Sequence, residues 1–159
     1  LELIKENIQD KVITIEKPTF LKQEEYFLVE KLIKNNSLTI LPVFQNRYNR
    51  AVQLVKSHID KGDLGDLMNG RIILSWCRPQ RYYDMSIWRG TYSHDGGALT
   101  NQGIHYIDML IFFAKNITEV SCIAKTLGSK IEVEDTATAI FKDLAFFCIG
   151  IFNLFLTSL

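Results

Sequence analysis

At 159 residues the chain is one domain's worth of protein, long enough to bury a core. Lys plus Arg and Asp plus Glu both number 18, so the formal charge is zero, and the sequence has neither a basic stripe for nucleic acid nor an acidic solvating tail. Its three cysteines, Cys77, Cys122 and Cys148, lie in apolar runs without metal-ligand spacing and read as small buried hydrophobes of a reducing, cytoplasmic compartment, with no metal site.

In chain order, residues 1–9 have a short helical pattern, broken by acidic residues and followed by no cleavage-site pattern, so no secretory leader is expected. Residues 11–16 (KVITIE) are a β-branched run that predicts a buried strand. Residues 24–34 return to helical spacing, with Phe27, Leu28, Leu32 and Ile33 as the apolar stripe. A second strand is expected at 38–44 and a helix at 51–60, closed by Gly62. This alternation predicts an α/β unit with parallel pairing. Pro42 marks the turn out of it, which divides the chain into units of residues 1–45 and 46–159. Beyond Gly70 the texture changes: a strand at 71–78, a long loop, a helix at 99–114, then strands at 120–126 and 136–141. Strands around one central helix predict an α+β domain.

Two stretches carry chemistry. Residues 88–108 open with Trp88 and Arg89, suited to a flat or anionic ligand, and continue through Gly96 and Gly97, which permit close backbone approach. In the helix that follows, Ile104, Ile107, Leu110 and Ile111 are placed to face a core. Asn101, His105 and Asp108 fall at i, i+4 and i+7, one face of an α-helix with an amide, an imidazole and a carboxylate. A solvated helix face carries the same residue types. The second stretch, Glu16-Lys17-Pro18, follows the first strand directly, and ligands of open α/β sheets sit beyond the carboxyl ends of strands. Pro18 biases Lys17 toward an extended conformation.

A strand ending EKP, a strand leading to FQNRYNRAVQ, then KGDLGDL, then GGALTNQGIHYID together resemble the Gfo/Idh/MocA family of nicotinamide-dependent sugar oxidoreductases over most of residues 1–140. The FQNRYN and WRGTYSHDGGALTNQGIH segments look most like its nucleotide-sugar dehydrogenases, which oxidise the 3-hydroxyl of a UDP-N-acetylglucosaminuronate-type substrate in polysaccharide biosynthesis. The resemblance implies NAD or NADP as cofactor, with Glu16, Lys17 and Pro18 beside it, and a small-molecule sugar or nucleotide sugar as substrate. It implies catalysis by Lys17 and His105, with His105 as the base and Lys17 polarising the same oxygen, although the residue types alone allow either to take the proton. Asn101, where many members carry Asp, keeps hydrogen bonding without charge and is expected to orient the substrate. Arg47, Trp88 and Arg89 are expected to contact carboxylate, phosphate or base. A homo-oligomer formed through an open sheet, without membrane or nucleic acid, completes the expectation.

Two features depart from the pattern. No G-x-G-x-x-G follows an opening strand, and Gly62, Gly65 and Gly70 do not supply one. The chain is therefore expected to join the tail of a Rossmann-type domain to the first half of a substrate domain. Its alternative is a non-catalytic fragment that binds sugar or a partner chain. Residues 144–159 (LAFFCIGIFNLFLTSL) carry no charge and are shorter than the roughly 20 residues of a membrane span. They are expected to be buried strands or sequence beyond a lost reading frame, and exposed half-built strands there would drive association.

Overall fold

A computed structural model describes residues 11–114, 116–142 and 147–153. The helix expected at 1–9 lies outside them. The chain divides into two compact units, Leu1–Phe44 and Gln45–Leu159.

The first unit is a β-α-β unit. Strands β1 (Val12–Ile15) and β2 (Thr39–Pro42) pair in parallel, Val12 opposite Thr39 and Ile15 opposite Pro42, and helix α1 (Gln23–Asn36) connects them. Parallel strands cannot be joined by a tight turn, so the intervening residues form the crossover helix. Glu25 reaches back to accept the backbone N–H groups of Leu21 and Lys22 at 3.0 and 3.3 Å, meeting donors that a helix start leaves unpaired. Ser37, in the left-handed region at φ 50°, ends the helix.

Two expectations are corrected here. The buried position of α1 is Val29, with Leu32 and Ile33 half-buried, whereas Phe27 and Leu28 are 54% and 49% exposed. Strand β1 is also partly exposed, with Val12 at 65%. A pair of four-residue strands offers too little surface to cover a wide apolar stripe, so only the narrow i, i+3, i+4 row is shielded.

In the second unit a 3-10 turn (Gln45–Tyr48) leads into α2 (Arg50–Lys61). Asn49 caps it by accepting Ala51 N–H at 2.9 Å, and Gly62 ends it at φ 76°. A four-stranded sheet follows, built from β3 (Asn69–Ser75), β4 (Glu119–Lys125), β5 (Thr136–Lys142) and β6 (Phe147–Asn153) in the order β3-β6-β5-β4. Only β3 and β6 are parallel; the other two pairings are antiparallel. Between β3 and β4 lie the short helix α3 (Gln80–Asp84), which sequence spacing did not reveal, and α4 (Ile104–Ala114). The fold is thus a parallel β-α-β unit followed by an α+β unit with a mostly antiparallel sheet and a central helix.

Residues 147–153 of the charge-free tail form a strand, the first of the two expectations for it. Every residue of β6 has a partner in β3 and another in β5, so residues 147–153 form an interior strand and not an exposed edge. Residues 144–146 and 154–159 lie outside the described residues.

One face of the sheet packs on α4. Leu110 meets Ala139 and Phe141, with Ile72 and Ile107 packed against them, and Leu74 meets Ala137 beside Tyr106. Ala137, Ala139 and Phe141 are buried while Thr138 and Ile140 between them are exposed, the period-2 pattern of a sheet covered on one side. Ile111, expected in the core, is 44% exposed although it shares the i, i+3, i+4 row of Ile107 and Leu110, and the buried cluster under the helix is centred on Leu110. All seven residues of the edge strand β4 are exposed, Cys122 among them, and Cys77 is exposed beyond the end of β3. The reading of these two cysteines as buried is therefore corrected, because an apolar neighbourhood in sequence does not cover an edge strand or a loop.

The packing makes a direct prediction. Leu110→Ala should lower stability in urea unfolding by about 2–5 kcal/mol, the usual range for a buried leucine. Ile111→Ala should cost less than about 1 kcal/mol, because its side chain is partly in water already.

Candidate functional site

The site of the second unit is a turn that begins with glycine and runs into a helix. Gly90 N–H donates to the buried carboxylate of Asp95 at 2.6 Å, and Asp95 and Gly96 N–H both donate to Thr91 O at 3.1 Å. Facing this turn is the loop between β4 and β5. Glu132 N–H donates to Gly90 O at 2.9 Å, Ala98 N–H to Glu134 O at 2.9 Å, and Leu99 N–H to the Glu134 carboxylate at 2.9 Å. Gly97 sits at φ 80°, and a Cβ there would overlap the Glu134 carboxylate. A Cβ at Gly90, φ 69°, would meet Ile131 at 2.6 Å. These two glycines allow the loop and the turn to touch.

From Ala98 to Gly103 the chain is π-helical, and α4 starts at Ile104. This corrects the expectation of an unbroken α-helix from residue 99. Bonding to i+5 in place of i+4 widens the first turn, so Asn101 does not stand directly above His105 on one α-helical face. Asn101 is half-buried, and its side-chain N–H donates to Asp95, the same carboxylate that holds Gly90. His105 is half-buried in the first turn of α4. Asp108 is not on a wet face: it is 6% exposed and accepts two bonds from Arg47, at 2.7 Å from Nε and 2.6 Å from Nη2. Arg47 also lies 5.0 Å from the centre of the Phe112 ring. The Arg47 fork, expected at an anion, thus faces a carboxylate of the chain itself. The Asp108 hydrogen bond, ahead of the opposing effect of burial, raises the Arg47 pKa.

Trp88 and Arg89 come together, with the guanidinium 4.7 Å from the indole centre. In the first unit, Glu16, Lys17 and Pro18 directly follow the carboxyl end of β1; Glu16 is exposed, Lys17 and Pro18 are half-buried, and the Lys17–Pro18 peptide is cis. Sequence spacing passed over Asp95, Glu134 and Asp135. Only Asp95 left a signal, as the polar residue before a glycine pair. Tyr83 is held in its phenol form with a pKa pushed up to about 12 by burial and then by Asp135 and Asp95, so it is no base at neutral pH. Among the described residues no three His, Cys, Asp or Glu side chains could hold a metal ion, and no helix is long and apolar enough to cross a membrane.

The model of the GFO/IDH/MocA C-terminal domain family matches residues 52–143, more than half of the chain. The chain belongs to this family. It is similar to the WlbA dehydrogenase from Chromobacterium violaceum, solved with NADH and UDP-GlcNAcA, at 31% identity and a TM-score of 0.86 over 92% of this chain and 43% of that one. The WlbA dehydrogenase from Bordetella pertussis, solved with the same two ligands, matches at 31% identity and a TM-score of 0.87 over 93% of this chain and 46% of that one. An oxidoreductase from Agrobacterium radiobacter, solved with NAD+, L-tartaric acid and magnesium, shares the fold at 17% identity and a TM-score of 0.76, over 91% of this chain and 42% of that one. The chain thus spans less than half the length of these relatives. No curated protein matches.

The loop that braces the site depends on Asp135, which is fully buried. It accepts the N–H groups of Leu127, Gly128 and Ser129 at 2.8–2.9 Å and the Thr136 hydroxyl at 3.0 Å. Burial alone would raise its pKa, but these four bonds outweigh it and leave the carboxyl below its ordinary value of 3.8. A lowered folded-state pKa contributes stability above the unfolded value, which is lost as pH falls through the folded one. Asp135→Asn should therefore cost about 1–3 kcal/mol near neutrality. The gap from the parent chain, measured by urea unfolding at a series of pH values, should shrink only below about pH 4. A gap that does not change down to pH 2 would contradict this assignment.

Proposed function

We propose that this chain is part of an NAD- or NADP-dependent oxidoreductase that oxidises a secondary hydroxyl of a sugar or nucleotide sugar, the 3-hydroxyl of a UDP-N-acetylglucosaminuronate-like substrate. One observation carries the reading: the likeness, over nearly the whole chain, to two dehydrogenases solved with NADH and UDP-GlcNAcA. The reaction removes a hydride from carbon and a proton from oxygen, and the nicotinamide supplies the hydride acceptor. Glu16, Lys17 and Pro18 fit a place beside it, since they follow the carboxyl end of a strand in a parallel pair, where dinucleotides sit in such sheets. The glycine-rich phosphate loop is not among these 159 residues, so they offer no such cradle for the pyrophosphate.

His105 is proposed to take the hydroxyl proton, and Lys17 to polarise the oxygen that loses it. Asn101 would orient the sugar ring, with its amide held by Asp95. Arg47 acts through Asp108, fixing the helix that carries His105. Trp88 and Arg89 meet the charged part of the substrate.

The test uses the chain joined to a dinucleotide-binding segment. His105→Ala and Lys17→Ala should each lower kcat for sugar oxidation by at least about 10²-fold, the usual effect of losing a positioned acid–base group. Asn101→Ala should act mainly through KM. Near-normal turnover by His105→Ala would remove it from the mechanism.

Copies of the chain are proposed to associate through the open face of the sheet, on which Ile73, Ile123 and Ile140 are 55%, 71% and 40% exposed. Light scattering should give a mass above the 18.3 kDa of one chain, and Ile73→Lys should lower it. A monodisperse monomer of the parent chain would count against this interface.

A further inference from the structure

Five side chains of the second unit form an alternating stack of rings and cations. Arg78 lies 4.6 Å from the Trp76 ring centre and 4.5 Å from that of Tyr82. Arg89 lies 4.2 Å from the same Tyr82 ring and 4.7 Å from Trp88. A guanidinium stacked on a ring is attracted through its flat face and keeps its N–H edge for a planar acceptor. No carboxylate among the described residues pairs with either arginine. The Nε atom of each is buried without a hydrogen-bond acceptor. Two permanent positive charges thus share one tyrosine and, among the described residues, lack the internal counter-ion that Asp108 gives Arg47.

We propose that Arg78 and Arg89, aligned by Tyr82, form a site for a diphosphate, one guanidinium to each phosphate. Its identification with the diphosphate of a nucleotide sugar rests on the function proposed above. The chain path supports that identification. Arg89 directly precedes Gly90, whose N–H is held by Asp95, and Asp95 also holds the Asn101 amide. The anion site and the sugar-orienting amide are therefore fixed by one carboxylate. Arg78 and Tyr82, neither of which the sequence singled out, become determinants of specificity for charged nucleotide sugars over neutral sugars.

The chain carries its own reporter, since both of its tryptophans belong to the stack. Tryptophan fluorescence of the 159-residue chain would be titrated with UDP, inorganic pyrophosphate, NAD+ and uridine. UDP and pyrophosphate should change the emission with an affinity that weakens as salt is added, and uridine should not. Arg78→Gln and Arg89→Gln should each weaken UDP by at least about tenfold, as loss of a charged hydrogen-bond donor does. Arg78→Lys, which keeps the charge and loses the flat face, should also weaken it while preserving the circular-dichroism spectrum. Arg81→Gln, outside the stack, should bind UDP as the parent does. The proposal is overturned if neither UDP nor pyrophosphate changes the emission, or if UDP affinity is the same in Arg78→Gln. NAD+ binding more tightly than UDP would overturn the assignment to the nucleotide sugar. The two readings fail separately: arginine-dependent UDP binding without sugar oxidation by the completed enzyme would leave this site standing and remove the function. Sugar oxidation with UDP binding indifferent to both arginines would do the reverse.

Discussion

The turn between Arg89 and Leu99 keeps its shape because carboxylates accept its backbone N–H groups. Asp95 takes that of Gly90 and Glu134 takes that of Leu99, while Asp135 ties down the loop on which Glu134 sits. A glycine-rich segment loses much conformational entropy on ordering. Here charge-assisted hydrogen bonds, stronger than neutral ones, oppose that loss. The placement of Asn101 and His105 follows from this bracing. The turn fixes where the π-helical segment begins, which sets Asn101, and α4 continues from it with His105 in its first turn.

The other end of the arrangement is pinned by Arg47 and Asp108. Their bidentate pair joins the 3-10 turn before α2 to the middle of α4, with Phe112 beneath the guanidinium. Removing one partner would leave the other charge without its counter-ion, Asp108 being nearly inaccessible to water. The helix that carries the imidazole is thus held by packing on the sheet, by a carboxylate-braced turn at its start and by an ion pair at mid-length. The role of base proposed for His105 would need such support, since small displacements from a hydroxyl are costly to rate. Arg78 and Arg89 differ from Arg47 in one respect that matters. Their partners are aromatic faces, which hold a cation without neutralising it.

The sequence made the elements legible where periodicity was strong. The β-α-β alternation, the end of α2 at Gly62 and the strands β3 to β5 all follow from residue pattern and turn chemistry. Burial was less legible. Phe27, Leu28 and Ile111 have helical spacing but exposed side chains, because the surface available to cover them depends on strands elsewhere. The π-helical segment at residues 98–103 left no mark in a pattern read at α-helical period. The carboxylate that accepts an N–H at its start, that of Glu134, lies 35 residues downstream of Leu99. The partner of Asp108 was hidden for the same reason, since Arg47 is 61 residues away. Short-range rules locate residue types; long-range pairs decide what each is used for.

We propose that the braced turn and α4 present His105 to the hydroxyl being oxidised. A crystal structure of the chain, joined to a dinucleotide-binding segment and bound to a UDP-N-acetylglucosaminuronate-like sugar, tests it most directly. A ring hydroxyl is expected about 2.6–3.2 Å from an imidazole nitrogen of His105, with Asn101 bonded to the same sugar and still held by Asp95. A sugar bound with its hydroxyls turned away from His105 and meeting a different base would contradict it.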